Sequence, residues 1–314
     1  MKHKVKSENK ISLFEKLKSS TEAQCYLLLA LPIIGFFVFT IYPMLWAAVK
    51  AFYYYDMVPS NTRFTGFDNF VTLFTSAKEY WNAWYVTFQF LLIKLPIEMP
   101  LALIFAFLLS KGLKGSNTIR NLYFLPCVIS MAIVGVIFTN IFDVFGLANA
   151  YLSKLGWITE PVDWFSKKSS AMFVLVFSGI WSSIGVNIIY FTAALSNVPE
   201  DLYEAAYVEG ANAVQKFFYI TLPMISKVFQ IVLLLAINGT LRTGEFIIVM
   251  TNGAPAGRTL TAEAYITKSF LPGFASVANP NLGYGSAMCI VSSVVCALVG
   301  VIYMKLTKKL TNLY

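Results

Sequence analysis

Charged residues are scarce in this chain. Only 13% of its 314 residues are Asp, Glu, Lys or Arg, whereas 57% are hydrophobic, and the mean hydropathy is +0.66. A soluble domain carries about 25% charged residues, because its surface must be solvated. The shortage excludes an ordinary water-soluble fold and predicts a membrane protein.

Histidine is nearly absent as well, and the cysteines do not cluster. The one histidine, His3, lies in a charged N-terminal tail, which excludes Ser-His-Asp chemistry and metal sites built from several histidines. Cys25, Cys127, Cys289 and Cys296 lie in apolar runs without CxxC spacing, which is typical of small packing residues. We therefore expect neither a catalytic residue nor a metal site.

Long apolar runs dominate what is present. An apolar helix needs about 20 residues to cross the hydrocarbon layer, and only helices are expected here because strand-type alternation is absent. The predicted spans cover residues 25–49, 84–109, 121–142, 172–195, 228–250 and 284–304. The sequence thus predicts an all-α membrane protein with one six-span domain, residues 25–310, after a basic leader, residues 1–24.

The positions of the basic residues predict orientation. The leader carries Lys2, Lys4, Lys6, Lys10, Lys16 and Lys18. With this leader inside, most of the 24 Lys and Arg residues flank the cytoplasmic ends of the spans. Both termini are therefore expected in the cytoplasm, with the leader near anionic lipid headgroups. The net charge of +8 is an orientation signal and predicts no nucleic-acid partner.

One loop expected on the cytoplasmic side, residues 196–224, is acidic. Its acids are Glu200, Asp201, Glu204 and Glu209. Pro199 suits a helix start, Gly210 a helix end, and Asn212 the cap of a second helix that stops before Pro223. This pattern predicts a helix-turn-helix under the membrane. An ordinary amphipathic connector, with acids serving only the helix dipole, is the alternative.

The segment EAAYVEGANAVQKFFYITLP resembles the signature loop of permease subunits in bacterial ABC importers: Glu-Ala-Ala, three residues, Gly, nine residues, then Ile-x-Leu-Pro. Here these positions are Glu204, Ala205, Ala206, Gly210, Ile220, Leu222 and Pro223. The segments LYFLPCVISMAIVGVIF, FGLANAYLSKLG and GYGSAM follow the order of the carbohydrate branch of that family. The resemblance extends over residues 20–310 and implies the type I ABC importer permease fold.

The resemblance also implies partners. Phosphate-binding GxxxxGK[ST] loops need a Gly-Lys dipeptide, which this sequence lacks, so ATP and Mg are expected on other subunits and no cofactor on this chain. The implied importer adds a second related permease, two ATPase subunits and an extracytoplasmic solute-binding protein. The implied ATPase-coupling residues are Glu200, Asp201, Glu204, Ala205, Ala206, Glu209 and Gly210. We expect Glu204 to meet a basic residue of the ATPase.

Ionisable residues inside spans are costly and indicate function by default. Lys94 and Glu98 stand four residues apart in span two, between Pro96 and Pro100, so they can pair on one helix face. A structural ion pair or a gate-supporting kink is the favoured interpretation. Direct contact with substrate is the alternative.

Span five carries a polar stripe. Asn238, Arg242 and Glu245 follow i, i+4, i+7 spacing, with Thr240 and Thr243 nearby. We expect this stripe to face the transport cavity, as it does in the resembling sugar permeases, or else the partner permease. In span four, Asn187 and Tyr190 are the polar candidates, whereas Ser178, Ser182 and Gly185 form a face for close helix packing. The predicted substrate path is Asn187, Tyr190, Asn238, Thr240, Arg242 and Thr243.

The sequence as a whole predicts a permease subunit that gives a carbohydrate, most simply an oligosaccharide, alternating access across the cell membrane, driven by partner ATPases. One rival keeps the importer but changes the cargo to a glycerol phosphate, an amino acid or a polyamine. An intramembrane enzyme is disfavoured by the lack of intramembrane histidine and paired catalytic acids. A channel or secondary transporter would have no use for the acidic loop.

Overall fold

The computed structural model describes residues 21–110, 116–271 and 280–311. The leader predicted for residues 1–24 lies outside this part of the chain except for residues 21–24, which begin the first helix. The helices are α1 (Thr21–Phe36), α2 (Tyr42–Lys50), α3 (Asp68–Thr75), α4 (Lys78–Ser110), α5 (Ser116–Val128), α6 (Met131–Ile141), α7 (Leu147–Lys154), α8 (Lys168–Leu195), α9 (Glu200–Val208), α10 (Ala213–Lys216), α11 (Leu222–Leu241), α12 (Glu245–Thr251), α13 (Ala262–Phe270) and α14 (Leu282–Thr311). Strands β1 (Tyr53–Tyr54) and β2 (Arg63–Phe64) form a short antiparallel pair.

Five of the helical stretches are long and apolar enough to cross a membrane. They are Gln24–Lys50, Lys78–Ser110, Lys168–Leu195, Ala213–Leu241 and Leu282–Lys308. A bent pair, Asn121–Val128 with Met131–Ile141, makes the sixth span when it is taken as one crossing. The predicted all-helical architecture with six spans is confirmed in this form.

The third span is not the straight helix that the sequence predicted. Its two halves, α5 and α6, meet at an angle of 107°. Ser130 has extended backbone angles, φ −56° and ψ 140°, and its carbonyl accepts the first hydrogen bond of α6 from Val134. Pro126 lies one turn earlier and cannot donate a backbone hydrogen bond, which weakens the end of α5. The hydropathy of the run gave no sign of this bend.

The fifth span, predicted as one helix over residues 228–250, is also broken. Helix α11 ends at Leu241, and α12 starts at Glu245. The hydroxyl of Thr261, which caps α13, donates to the carbonyl of Thr243 at 2.5 Å and satisfies a group that the break exposes. A Cβ on Gly244 would stand 2.9 Å from the backbone nitrogen of Ala264, so α13 approaches because this position is glycine.

The centre of the fold is the pair of long helices α4 and α8, with α11, α12 and α14 packed around them. Helix α4 continues without interruption through Pro96 and Pro100. A Cβ on Gly185 of α8 would lie 2.1 Å from the carbonyl oxygen of Tyr123 in α5. The small residue therefore permits close packing of these two helices, as the sequence predicted for this face.

Polar side chains fasten the first loop to the last span. Asn69 of α3 donates hydrogen bonds to the carbonyls of Ala51 and Tyr53. Asn281, directly before α14, accepts from the backbone N–H of Tyr55 at 3.2 Å. These bonds position the ends of the first and sixth spans against each other, because loop carbonyls that water does not reach need internal donors.

The first span is hardly covered by the rest of the chain. No described side chain between Gln24 and Lys50 is buried. Large apolar side chains such as Leu28, Leu31 and Phe39 are about three-quarters exposed (75%, 78% and 81%). The end of this span, α2, packs against α14. The remainder presents an apolar surface to lipid or to another subunit.

Candidate functional site

The acidic loop folds into a capped helix. Pro199 has extended backbone angles and precedes α9, whose first turn carries the predicted acids Glu200 and Asp201. Beyond the helix, Gly210 has φ +80°, its N–H donates to the Tyr207 carbonyl, and the N–H of Ala211 donates to the carbonyl of Ala206. These two bonds form a Schellman motif, so the helix ends where the sequence predicted.

The second helix of the loop departs from the prediction. Asn212 caps α10 through a capping box with Gln215, at 2.9 and 2.8 Å. The helix does not stop before Pro223, however. It passes through a π-helical turn, Phe217–Thr221, and continues into α11, with Pro223 in the first turn. Proline is accommodated there because the π-helical turn directly before it already interrupts the regular i to i−4 hydrogen bonding, with the N–H of Leu222 donating to the carbonyl of Phe217.

Helix α9 exposes most of its surface. None of its residues is buried, and the predicted coupling residues Glu200, Asp201, Glu204, Ala205, Glu209 and Gly210 are exposed, with Ala206 half-buried. Two contacts tie the helix to the fold: Tyr203 Oη lies 2.8 Å from Thr221 Oγ1, and the Lys216 ammonium lies 5.0 Å from the Tyr207 ring centroid. The helix is thus anchored on one side and open on the other.

A central cavity of about 380 Å³ lies between α4, α8 and α11. Four residues of the predicted substrate path line it: Asn187, Tyr190, Thr240 and Thr243. Asn187 and Thr240 are buried, whereas Tyr190 is 42% exposed. The size falls in the range of small-molecule sites, and the lining offers an aromatic ring together with amide and hydroxyl groups.

The other two residues of the predicted path, Asn238 and Arg242, line a different cavity of about 500 Å³ on the opposite side of α11. Asn238 and Arg242 of the predicted stripe thus share one cavity, whereas Glu245 is not among the residues that line it, because α11 ends at Leu241 and helical spacing no longer applies beyond it. Arg242 and Glu245 are both exposed, and Glu245 lies in the first turn of α12.

Glu263 of α13 also lines this second cavity and was not singled out from the sequence. Burial raises the pKa of Glu263, while the nearby Arg242 guanidinium lowers it and Glu245 raises it. Glu263 follows Arg242 only after the break and the loop that leads to α13, so no local pattern could have joined the two.

Lys94 and Glu98 form the predicted ion pair, with Nζ 2.7 Å from Oε2. Glu98 is fully buried, and its Oε1 accepts hydrogen bonds from Ser183 Oγ at 2.5 Å and Asn187 Nδ2 at 2.9 Å. Lys94 Nζ also lies 3.4 Å from Thr240 Oγ1. The pair therefore links α4 to α8 and α11, and both residues line the central cavity.

Ser183 was not predicted as a site residue. It stands four residues before Asn187 on α8, so the two polar groups share one helix face. That spacing within an apolar span is the signal that could have identified it.

Comparisons with known proteins agree with this architecture. Residues 98–312 match the family model described as "Binding-protein-dependent transport system inner membrane component". An arabinooligosaccharides transport system permease protein of Bacillus subtilis (strain 168) is 34% identical, over 97% of this chain and 95% of its own length. An sn-glycerol-3-phosphate transport system permease protein of Escherichia coli O6:K15:H31 is 32% identical, over 79% of this chain and 83% of its own.

One solved structure shares the fold. It is the crystal structure of a bacterial alginate ABC transporter in complex with an alginate pentasaccharide-bound periplasmic protein. One of its chains superposes on this protein with a TM-score of 0.79 at 24% sequence identity. The match covers 95% of this chain and 98% of the other. The match of the family model covers more than half of the sequence. This protein therefore belongs to the family of binding-protein-dependent transport system inner membrane components, as a multi-pass permease subunit of an ABC importer.

Proposed function

We propose that this permease carries an oligosaccharide into the cytoplasm by alternating access, coupled to partner ATPases. The observation that carries the proposal is the central cavity, in which Asn187 and the exposed ring of Tyr190 from α8 meet Thr243 from the break after α11. Sugars bind to aromatic faces and to amide and hydroxyl groups, and this cavity offers all three. The similarity to an arabinooligosaccharide permease along 97% of the chain supports the same cargo class.

The exposed helix α9 supports an ATPase partner. Its acids Glu200, Asp201 and Glu204 are exposed, so a basic surface of a partner can meet them. Through Thr221, α9 contacts the helix that runs from Ala213 without a stop to Leu241. A displacement of α9 would therefore move this helix, whose far end lines the cavity, because a packed helix shifts as one unit.

The first span supports a second permease as partner, since none of its described side chains is buried by the rest of the described chain. We propose a complex of this chain, a related permease, two ATPase subunits and an extracytoplasmic solute-binding protein, with both termini of this chain in the cytoplasm. The acidic helix α9 then lies on the cytoplasmic side, where ATP is available.

Reconstitution tests the proposal. The chain is co-expressed with the permease, ATPase and binding-protein genes next to its own, purified as a complex, and placed in proteoliposomes. We expect ATP-dependent uptake of one member of a panel containing arabinotriose, lactose, maltotriose and raffinose. Absence of an ATPase subunit from the purified complex would contradict the assignment of partners, and uptake of none of the sugars would contradict the cargo.

A glycerol phosphate is the second candidate cargo. It is favoured by the similarity to an sn-glycerol-3-phosphate permease and by the exposed guanidinium of Arg242 on the second cavity. Adding sn-glycerol-3-phosphate to the panel decides between the two, because uptake of this compound alone would replace the oligosaccharide. Arg242→Gln would then abolish the uptake.

A further inference from the structure

Two opposite charges lie on the wall of the central cavity. Lys94 and Glu98 are the only charged side chains among the residues that line it in the described part of the chain. Their charged groups are 2.7 Å apart, and the exposed fractions of the side chains are 8% and 0%. The wall that this chain contributes thus offers a few polar groups in a mainly apolar lining and carries no net charge.

Glu98 is held in place by its neighbours. Its Oε1 accepts two hydrogen bonds, from Ser183 and Asn187 of α8. Its Oε2 receives no hydrogen bond, so the ion contact with Lys94 is the only partner of this oxygen among the described residues. The carboxylate therefore cannot rotate away from the ammonium without losing two hydrogen bonds in a buried place.

Lys94 keeps a free donor. An ammonium group carries three N–H donors. One faces the Glu98 carboxylate, and one reaches Thr240 Oγ1 at 3.4 Å, a long and hence weak bond. The third has no partner in the described structure, and the cavity is the space that Lys94 borders.

We propose that Lys94 is a cargo ligand and that Glu98 determines cargo charge, by cancelling the charge of Lys94 so that the cavity accepts neutral oligosaccharides and discriminates against acidic ones. The inference rests on the proposed function, because it describes the cargo of the same cavity. A sugar hydroxyl oxygen can accept a hydrogen bond from the free N–H of the Lys94 ammonium. An acidic sugar is attracted by Lys94 and repelled by Glu98 at nearly the same distance, so the two Coulomb energies almost cancel.

The test measures binding to the purified complete importer in lipid nanodiscs by isothermal titration calorimetry. The probes are galactotriose and trigalacturonate, which differ by a carboxylate on each ring. We expect Glu98→Gln, which leaves Lys94 unpaired, to bind trigalacturonate about tenfold more tightly than the unaltered importer does, a gain of one decade in Kd. The affinity for galactotriose should change by less than about threefold, because a neutral sugar has no charge to attract.

The double variant Lys94→Met/Glu98→Gln is the matched control. It removes both charges, and exchange of a buried pair for uncharged groups is well tolerated by proteins. We expect no gain in trigalacturonate affinity from it. If Glu98→Gln fails to assemble, Glu98→Ala replaces it, since it leaves the same unpaired ammonium with room for water.

The inference is overturned if Glu98→Gln binds trigalacturonate with the same affinity as the unaltered importer, or if neither of them binds it. It is also overturned if the double variant gains as much trigalacturonate affinity as Glu98→Gln does.

Failure of this inference can be told apart from failure of the proposed function. An importer that transports a neutral sugar while Glu98→Gln gains nothing refutes only the charge selection. A gain in trigalacturonate affinity without any sugar uptake upholds the charge selection and refutes the oligosaccharide as cargo.

Discussion

The contact between α5 and α8 at Gly185 allows a quantitative prediction. A Cβ at this position would lie 2.1 Å from the Tyr123 carbonyl oxygen and 2.8 Å from Cys127 Sγ. Ordinary van der Waals contact begins near 3.4 Å, so Gly185→Ala must push the backbone of α5 away by about 1.3 Å, the difference between 3.4 and 2.1 Å. A backbone carbonyl cannot rotate aside as a flexible side chain can.

Overpacking of this kind costs about 1–3 kcal/mol. The higher helix propensity of alanine returns about 1 kcal/mol at most, which leaves a net destabilisation of about 0–2 kcal/mol relative to the unaltered protein. Cys127 lines the central cavity, and a shift of α5 would widen that cavity and weaken cargo binding as well. The assay is thermal unfolding of the purified protein in detergent, followed by tryptophan fluorescence.

Gly300→Ala is the matched control. Gly300 also lies within a spanning helix, α14, but a Cβ there would meet no atom within 4 Å. We expect its melting temperature to equal or exceed that of the unaltered protein. A Gly185→Ala variant as stable as Gly300→Ala would refute the reasoning, because it would show that α5 and α8 are farther apart than the structure places them.

Four further predictions concern the loop and the second cavity. Tyr203→Phe removes the hydrogen bond to Thr221, and we expect a loss of about 0.5–1.5 kcal/mol of stability and more ATP hydrolysed per solute transported. Asn212→Ala removes the capping box and should cost about 0.5–2 kcal/mol, with faster hydrogen exchange in α10. Glu204→Ala should weaken retention of the ATPase on affinity-purified complex, because the exposed carboxylate is gone. Burial raises the pKa of Glu263, so the folded state binds this proton more tightly than the unfolded state. The free energy of unfolding should therefore fall as the pH rises above the ordinary pKa of 4.5. In thermal scans at several pH values, Glu263→Gln should reduce this dependence of stability on pH.

Each of these predictions has a contrary outcome. Unchanged coupling in Tyr203→Phe would show that α9 transmits motion by another contact. Unchanged exchange in the Asn212 variant would mean that α10 is held by packing alone. Full ATPase retention by Glu204→Ala would remove this residue from the interface, and an equal pH slope in Glu263→Gln would place the titrating group elsewhere.

Local signals in the sequence were reliable wherever a few neighbouring residues decide the structure. The caps of the acidic loop follow from Pro199, Gly210 and Asn212, since a fixed φ, a left-handed φ and a short polar side chain act within one helical turn. The Lys94–Glu98 pair follows from i, i+4 spacing on one continuous helix. The prediction that the second loop helix stops before Pro223 is wrong because a π-helical turn, Phe217–Thr221, lets the helix continue through the proline.

Patterns that assume an unbroken helix failed. The polar stripe of span five required regular spacing beyond Leu241, but the approach of α13 to Gly244 and the hydrogen bond from Thr261 stabilise a break there. Asn238 and Arg242 still face one cavity, and Thr240 and Thr243 another, as i, i+4 and i, i+3 spacing on a helix requires. The distant segment α13 decides only that Glu245 begins a new helix, and hydropathy carries no information about distant segments.

The sequence by itself determined that the chain is a helical membrane protein, which apolar runs are long enough to cross a bilayer, and where the acidic loop turns. Neighbouring residues decide these features, because they set the transfer energy of an apolar run and the capping of a helix end. Tertiary structure alone decided which polar residues share a cavity, how Ser183 and Asn187 hold Glu98, and where spans three and five bend. Those features depend on contacts between segments far apart in the chain, and inside a membrane a buried polar group must find such a partner wherever the fold supplies one.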